Sequence, residues 1–100
     1  MLAINPINPE LMASMAKYAV RTGQKRRAID LAAGALTQGN SVDVLYNTGK
    51  AYGLAGECAR ASGLLRQAFD KGYPRQVARR DPDLDRLQAA PLACTVPPLN

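Results

Sequence analysis

Few residues in this 100-residue chain have side chains that could do chemistry. The absence of histidine excludes imidazole acid–base catalysis, triads that need a histidine, and imidazole-ligated metal sites. Cys58 and Cys94 are 36 residues apart, which fits neither a zinc site nor a CxxC redox pair. We interpret Cys58 as a small packing residue and Cys94 as an exposed, incidental thiol.

The remaining polar clusters also lack the pattern of a reactive site. Asp81, Asp83 and Asp85 are typical of the first turn of a helix, where carboxylates interact favourably with the helix dipole. The segment lacks the glycine and the glutamate of a calcium-binding loop. Gly49 and Gly56 belong to no phosphate-binding loop, because no Lys-Ser/Thr pair follows them. We therefore predict a protein that is not an enzyme and holds no metal or cofactor.

The charge balance favours anionic partners. The 13 Lys and Arg residues exceed the eight Asp and Glu residues, which gives a net charge of +5. The hydrophobic content of 47% is typical of a globular chain. The apolar start Met1–Ile4 lacks a basic lead and a cleavage site, and no apolar run reaches the ~20 residues of a membrane span. The prediction is a cytoplasmic protein without a membrane segment.

Helical periodicity organises the chain from residue 9 to residue 71. Four apolar stripes, each ended by a glycine-containing turn, predict four helices, and no segment alternates as a strand would. A shift of 33 residues aligns small residues with small residues at four positions, among them Gly23 with Gly56 and Ala28 with Ala61. Small residues are needed where paired helices cross closely, so the offset predicts two related helical hairpins.

The second hairpin resembles a tetratricopeptide repeat (TPR). It reads Leu45-x-x-Thr48-Gly49-x-x-Tyr52, followed by Gly56, Ala61, Leu65, Ala68 and Pro74. The segment Gly72-Tyr73-Pro74, followed by Asp81-Pro82-Asp83-Leu84-x-x-Leu87, is similar to the ends of TPR segments at the C-termini of bacterial regulatory proteins. The resemblance implies an all-α, TPR-like superhelix of two hairpins plus a C-terminal capping helix, as part of a larger bacterial protein.

The corresponding division of the chain has five parts. They are an N-terminal arm or the end of a preceding repeat at 1–8, repeats at 9–41 and 42–74, capping helices at 75–90, and a loose, flexible tail at 91–100. We expect Leu2, Ile4, Leu11 and Met15 to form an open apolar edge at the N-terminal end.

The TPR resemblance also implies a peptide-binding groove lined by the first helix of each hairpin. The residues placed there are Lys17, Arg21, Tyr46, Asn47, Lys50 and Leu54. The cations would steer and bind an acidic protein or peptide segment, and the aromatic and aliphatic residues would supply apolar contact.

The predicted function is that of a non-catalytic scaffold module for protein–protein interaction. The first alternative is a structural fragment that self-associates as a homodimer, because two repeats are fewer than an independent solenoid usually needs. The second is a basic nucleic-acid-binding module, which is disfavoured because aromatic stacking platforms and known signatures are missing.

Overall fold

The structure, a computed structural model, describes residues 8–99 and contains six α-helices in that range. They are α1 (Pro9–Arg21), α2 (Lys25–Gln38), α3 (Val42–Leu54), α4 (Cys58–Asp70), α5 (Arg75–Arg79) and α6 (Pro82–Gln88). No strand occurs between residues 8 and 99, so the prediction of an all-α chain is confirmed. Leu2, Ile4 and most of the N-terminal arm lie outside the described residues.

Local sequence signals set the ends of these helices. Asn8 caps α1 by accepting a hydrogen bond from the backbone amide three residues further on. Ser41 caps α3 in the same way, since its hydroxyl accepts from the Val44 amide at 3.3 Å. The turns before α2 and α4 contain Gly23 and Gly56 at φ of 83° and 96°, which glycine adopts without strain.

The first four helices form two antiparallel hairpins, in which α1 packs on α2 and α3 packs on α4. Helix α3 also contacts both helices of the first hairpin, so it occupies the centre of the structure. Alanines fill the first hairpin, which lets its helices approach closely, whereas larger side chains fill the second. The largest buried apolar side chains of the second hairpin are those of Leu45, Tyr46, Tyr52, Leu65 and Phe69.

The two short C-terminal helices return the chain to α3. Leu84 and Leu87 of α6 are 1% and 0% exposed, and they belong to the same core as α3 and α4. Leu87 packs so close to Gly53 that a Cβ added to this glycine would lie 2.9 Å from Leu87 Cδ2. Helix α6 therefore covers one face of α3.

The predictions for the cysteines and the tail differ from the structure. Cys94 is not an exposed thiol: it is 4% exposed and forms a disulfide with Cys58 at the start of α4. Its backbone amide donates to the Leu87 carbonyl at 2.7 Å. Leu92 and Val96 pack on the main core, so residues 91–99 are not the loose tail that the prolines suggested.

Candidate functional site

Helices α1 and α3 lie side by side and bring together four of the six predicted groove residues. We call the surface of Lys17, Arg21, Tyr46 and Lys50 the cationic face. Lys17 and Arg21 are one helical turn apart on α1, and Tyr46 and Lys50 are one turn apart on α3. Because α1 contacts α3, the two pairs meet at one surface.

Asp83 of α6 is the most buried carboxylate at this surface, with 1% of its side chain exposed. Arg21 donates to both of its oxygens, from Nη2 at 2.6 Å and from Nε at 3.3 Å. Lys50 Nζ lies 3.2 Å from Oδ2, and Arg86 on the next turn of α6 donates at 3.4 Å. A bidentate arginine and a buried lysine compensate this charge, as a buried carboxylate requires.

The two carboxylate oxygens of Asp81 accept hydrogen bonds from different parts of the chain, one nearby and one distant in sequence. Oδ1 accepts from the Asp83 amide at 2.9 Å and so caps the start of α6, as the sequence predicted. Oδ2 accepts from Lys50 Nζ and from the Tyr46 hydroxyl, both at 2.7 Å. One side chain therefore starts α6 and fixes it to the cationic face.

The electrostatics of the face reflect this pairing. Burial alone would raise the pKa of Asp81, but hydrogen bonds from Lys50 and Tyr46 outweigh it and hold that pKa below its ordinary value. Burial and the hydrogen bond to Asp81 raise the pKa of the Tyr46 phenol. The pKa of Lys17 is lowered, first by burial and then by the neighbouring charges of Lys50 and Arg21.

Tyr46 lies in an aromatic cluster rather than at the wall of an open groove. Its ring stacks on Tyr73 at a centroid distance of 3.8 Å and meets Phe69 edge-on at 6.3 Å. Lys50 Nζ lies 4.8 Å from the centre of the same ring. Tyr46 and Lys50 are only 2% and 4% exposed, because Tyr73 covers the ring of Tyr46 and the two aspartates at the start of α6 cover Lys50. The sequence had placed both residues in an accessible groove.

The remaining predicted residues border this cluster. Lys17 is half-buried and forms no ion pair within residues 8–99. Asn47 is half-buried on α3, next to Tyr46. Leu54 lines a pocket of about 410 Å³ together with other residues of α1, α6 and the tail. These are Val20, Arg21, Arg86 and Leu92.

Sequence reasoning missed Asp81 and Asp83 as partners of the cationic face. It recognised them only as helix-start residues, because that role depends on neighbours one to three positions away. Their contacts with the cationic face span 31 to 62 positions of the chain and depend on how α5 turns the backbone. The available signal was complementary charge: two carboxylates two residues apart, Asp81 and Asp83, and two cations at helical spacing, Lys17 and Arg21.

Comparisons with protein-family models, curated proteins and solved structures found no match. Between residues 8 and 99, no group of three or more Cys, Asp or Glu side chains is arranged to hold a metal ion. In the same range, every helix is too short or too polar to cross a membrane.

Proposed function

We propose that the chain is a non-catalytic protein-interaction module whose cationic face binds an acidic segment of a partner protein. One observation carries the proposal: Arg21, Tyr46 and Lys50 hold the chain's own Asp81 and Asp83, at the start of α6, on this face. The contacts are those of carboxylate recognition, with a bidentate guanidinium, an ammonium and a phenolic hydroxyl. The corresponding partner motif carries two carboxylates two residues apart.

The charge that remains on this face supports binding of a further anion. Four cationic side chains, those of Lys17, Arg21, Lys50 and Arg86, surround the two carboxylates. Lys17 forms no ion pair within residues 8–99; burial lowers its pKa first, and repulsion by the charges of Lys50 and Arg21 lowers that pKa further. A partner carboxylate beside Lys17 would relieve this repulsion, so Lys17 is the first contact of an incoming peptide.

The position of α6 on the cationic face lowers the affinity for a partner. A partner that uses Tyr46 and Lys50 must displace Asp81 and Asp83, so its apparent affinity is reduced by the small population in which α6 has left the face. The chain is then an interaction module that its own C-terminal segment restrains.

The paired hairpins also support the finer proposal of a TPR-like helical repeat. In such repeats the first helices of successive hairpins line a concave surface, and α1 and α3 hold the corresponding positions here. The contact of α1 with α3, together with the packing inside each hairpin, agrees with this arrangement.

The experiment is peptide binding by the full-length chain. A fluorescent peptide with an Asp-x-Asp motif should bind the native protein, and Lys17→Glu should weaken that binding about tenfold, because a charge-assisted contact contributes roughly 1.5–3 kcal/mol. Fluorescence anisotropy at low salt measures both affinities.

The matched control is Lys25→Glu, the same charge change at the exposed start of α2. This variant should bind as the native protein does, apart from a small loss common to any change of net charge. Equal losses in the two variants would show only non-specific attraction, and binding of an RNA oligonucleotide in preference to the peptide would favour the nucleic-acid alternative. Either result contradicts the proposal.

The cytoplasmic location stays a prediction. The Cys58–Cys94 disulfide is of a kind that persists in oxidising compartments and is rare where glutathione keeps thiols reduced. Thiol labelling of the protein in its native cells would decide between the two environments.

A further inference from the structure

The residues that follow α6 attach the end of this helix to α4. We call residues 89–99 the C-terminal strap. Cys94 of the strap is bonded to Cys58, the first residue of α4. The Cys94 amide donates to the carbonyl of Leu87 in the last turn of α6 at 2.7 Å, and Leu92 packs on the main core. The disulfide therefore holds the C-terminal end of α6 against the second hairpin.

The chain joins α6 to α4 on both sides. Before α6, the backbone runs from the end of α4 through α5, and after α6 the strap returns to the start of α4 at Cys58. Residues 71–93 are thus a closed loop while the disulfide is intact, and they become part of a free C-terminal segment when it is reduced. A closed loop gains fewer conformations on leaving the surface than a free segment does, so the disulfide disfavours displacement of α6.

The disulfide and the cationic face belong to different helices, and α6 connects them. The face consists of residues on α1 and α3, whereas Cys58 is on α4. Asp81 and Asp83, at the start of α6, pair with Lys50 of the face, and the other end of α6 is held through Cys94. A change at the disulfide therefore reaches the face through the equilibrium between docked and displaced α6, which both sites bias.

We propose that reduction of the Cys58–Cys94 disulfide by a dithiol raises the affinity of the cationic face for an acidic segment. While the disulfide is intact, Asp81 and Asp83 occupy the face. After reduction, α6 and the strap leave the face more often, and carboxylates of the partner take the place of the two aspartates. This inference rests on the proposed function, because it concerns regulation of the same site.

The reduction is an ordinary thiol–disulfide exchange. A thiolate of the dithiol attacks Cys58 Sγ, which is half-buried, since Cys94 is only 4% exposed. The bond between the two Sγ atoms breaks, and Cys94 leaves as a thiolate that takes up a proton. The second thiol of the reductant then attacks the mixed disulfide and releases Cys58 as a thiol. The chain gains two electrons and two protons, and the dithiol becomes a disulfide.

The coupling between the two sites is reciprocal. We expect the reduced chain to bind the peptide about tenfold or more tightly than the oxidised chain, because the displaced population of α6 increases. By linkage, the peptide must shift the thiol–disulfide equilibrium of the chain towards the dithiol by the same factor. An equilibrium of the chain with dithiothreitol and its oxidised form, with and without saturating peptide, measures this shift.

Anisotropy titration of the full chain with the Asp-x-Asp peptide tests the proposal directly. The peptide contains no cysteine, and the native chain is titrated oxidised and after reduction with dithiothreitol, with helicity checked by circular dichroism. The matched control is the chain with Cys58→Ser and Cys94→Ser, which should bind as the reduced native chain does and should not respond to dithiothreitol. General destabilisation would weaken binding, since the face itself depends on the packing of α1 on α3.

Equal or weaker binding by the reduced, folded chain would overturn the proposal. Two outcomes separate its failure from that of the proposed function. If the oxidised chain with Asp81→Asn and Asp83→Asn binds more tightly than the native chain while reduction has no effect, the redox control is wrong and the proposed function stands. If the peptide binds none of these chains, both are wrong.

Discussion

At the scale of one residue, Asp81 connects a helix start with a long-range ion pair. Its two oxygens serve different partners, the start of α6 on one side and Lys50 with Tyr46 on the other. Loss of its charge therefore weakens a helix cap and a long-range ion pair together. Asp85, two residues after the buried Asp83 on the same helix, is exposed and provides a matched reference.

The lowered pKa of Asp81 predicts how stability depends on pH. Since this pKa is lower in the folded chain than in the unfolded one, Asp81 stabilises the fold above about pH 4, and the contribution is lost as the pH falls through the folded-state pKa. The midpoint of urea unfolding should therefore decrease on acidification. Asp81→Asn should reduce the size of this decrease, whereas Asp85→Asn should retain it; equal pH profiles for both variants would contradict the assignment.

For single residues, the sequence was a good guide to which side chains share a surface and a poor guide to how deeply they are buried. Arg21, Tyr46 and Lys50 share one surface because helical spacing and hairpin order place them there. The burial of Tyr46 and Lys50 was not predictable, because it comes from Tyr73 and from the two aspartates at the start of α6, whose position depends on packing of Leu84 and Leu87 far along the chain.

At the scale of the element, glycines show which helix contacts are close. Gly53 of α3 faces both α4 and α6: an added Cβ would lie 3.2 Å from Ala61 Cβ and 2.9 Å from the buried Leu87 side chain. Gly63 of α4 is exposed and meets nothing within 4 Å. The same substitution should therefore have opposite effects at the two positions.

Gly53→Ala should destabilise the fold by about 1–3 kcal/mol, since the helices must separate to admit the methyl group. Gly63→Ala should stabilise it by about 0.5–1 kcal/mol through helix propensity alone. Urea unfolding of the two variants beside the native chain measures both changes. A stabilising Gly53→Ala would show that α6 does not pack on α3 as described.

The helix boundaries were the most predictable feature of the fold, because nearby residues determine them. Capping side chains and positive-φ glycines act within four residues of a helix end, so the sequence displays them directly. The tail was less predictable, because its prolines favour irregular backbone but do not prevent Leu92 and Val96 from packing on a core formed elsewhere.

At the scale of the whole molecule, the Cys58–Cys94 disulfide closes the segment that contains α5 and α6. Its sequence separation of 36 residues corresponds to a loss of unfolded-chain entropy of roughly 4 kcal/mol at 25 °C. Sequence reasoning left both cysteines unpaired, because only the return of α6 to α3 brings them together.

Replacement of both cysteines by serine should thus lower the free energy of unfolding by about 2–4 kcal/mol, because the unfolded chain regains the entropy that the disulfide removes. Urea unfolding of this variant and of the native chain, each without reductant, gives the difference. Dithiothreitol should lower the stability of the native chain towards that of the variant and leave the variant unchanged. Equal unfolding midpoints for the oxidised native chain and the variant would contradict a native Cys58–Cys94 bond.

The most direct test of the central claim is peptide binding after removal of the internal carboxylates. In a full-length chain with Asp81→Asn and Asp83→Asn, checked for helicity by circular dichroism, the cationic face loses its internal partners but keeps Lys17, Arg21 and Lys50. Anisotropy titration with the Asp-x-Asp peptide should show that this double variant binds about tenfold more tightly than the native chain, or more tightly still. The reason is that displacement of α6 then costs less free energy. The Asp85→Asn chain should bind as the native chain does. Unchanged or weaker binding by the folded double variant would contradict the claim that this face recognises acidic segments.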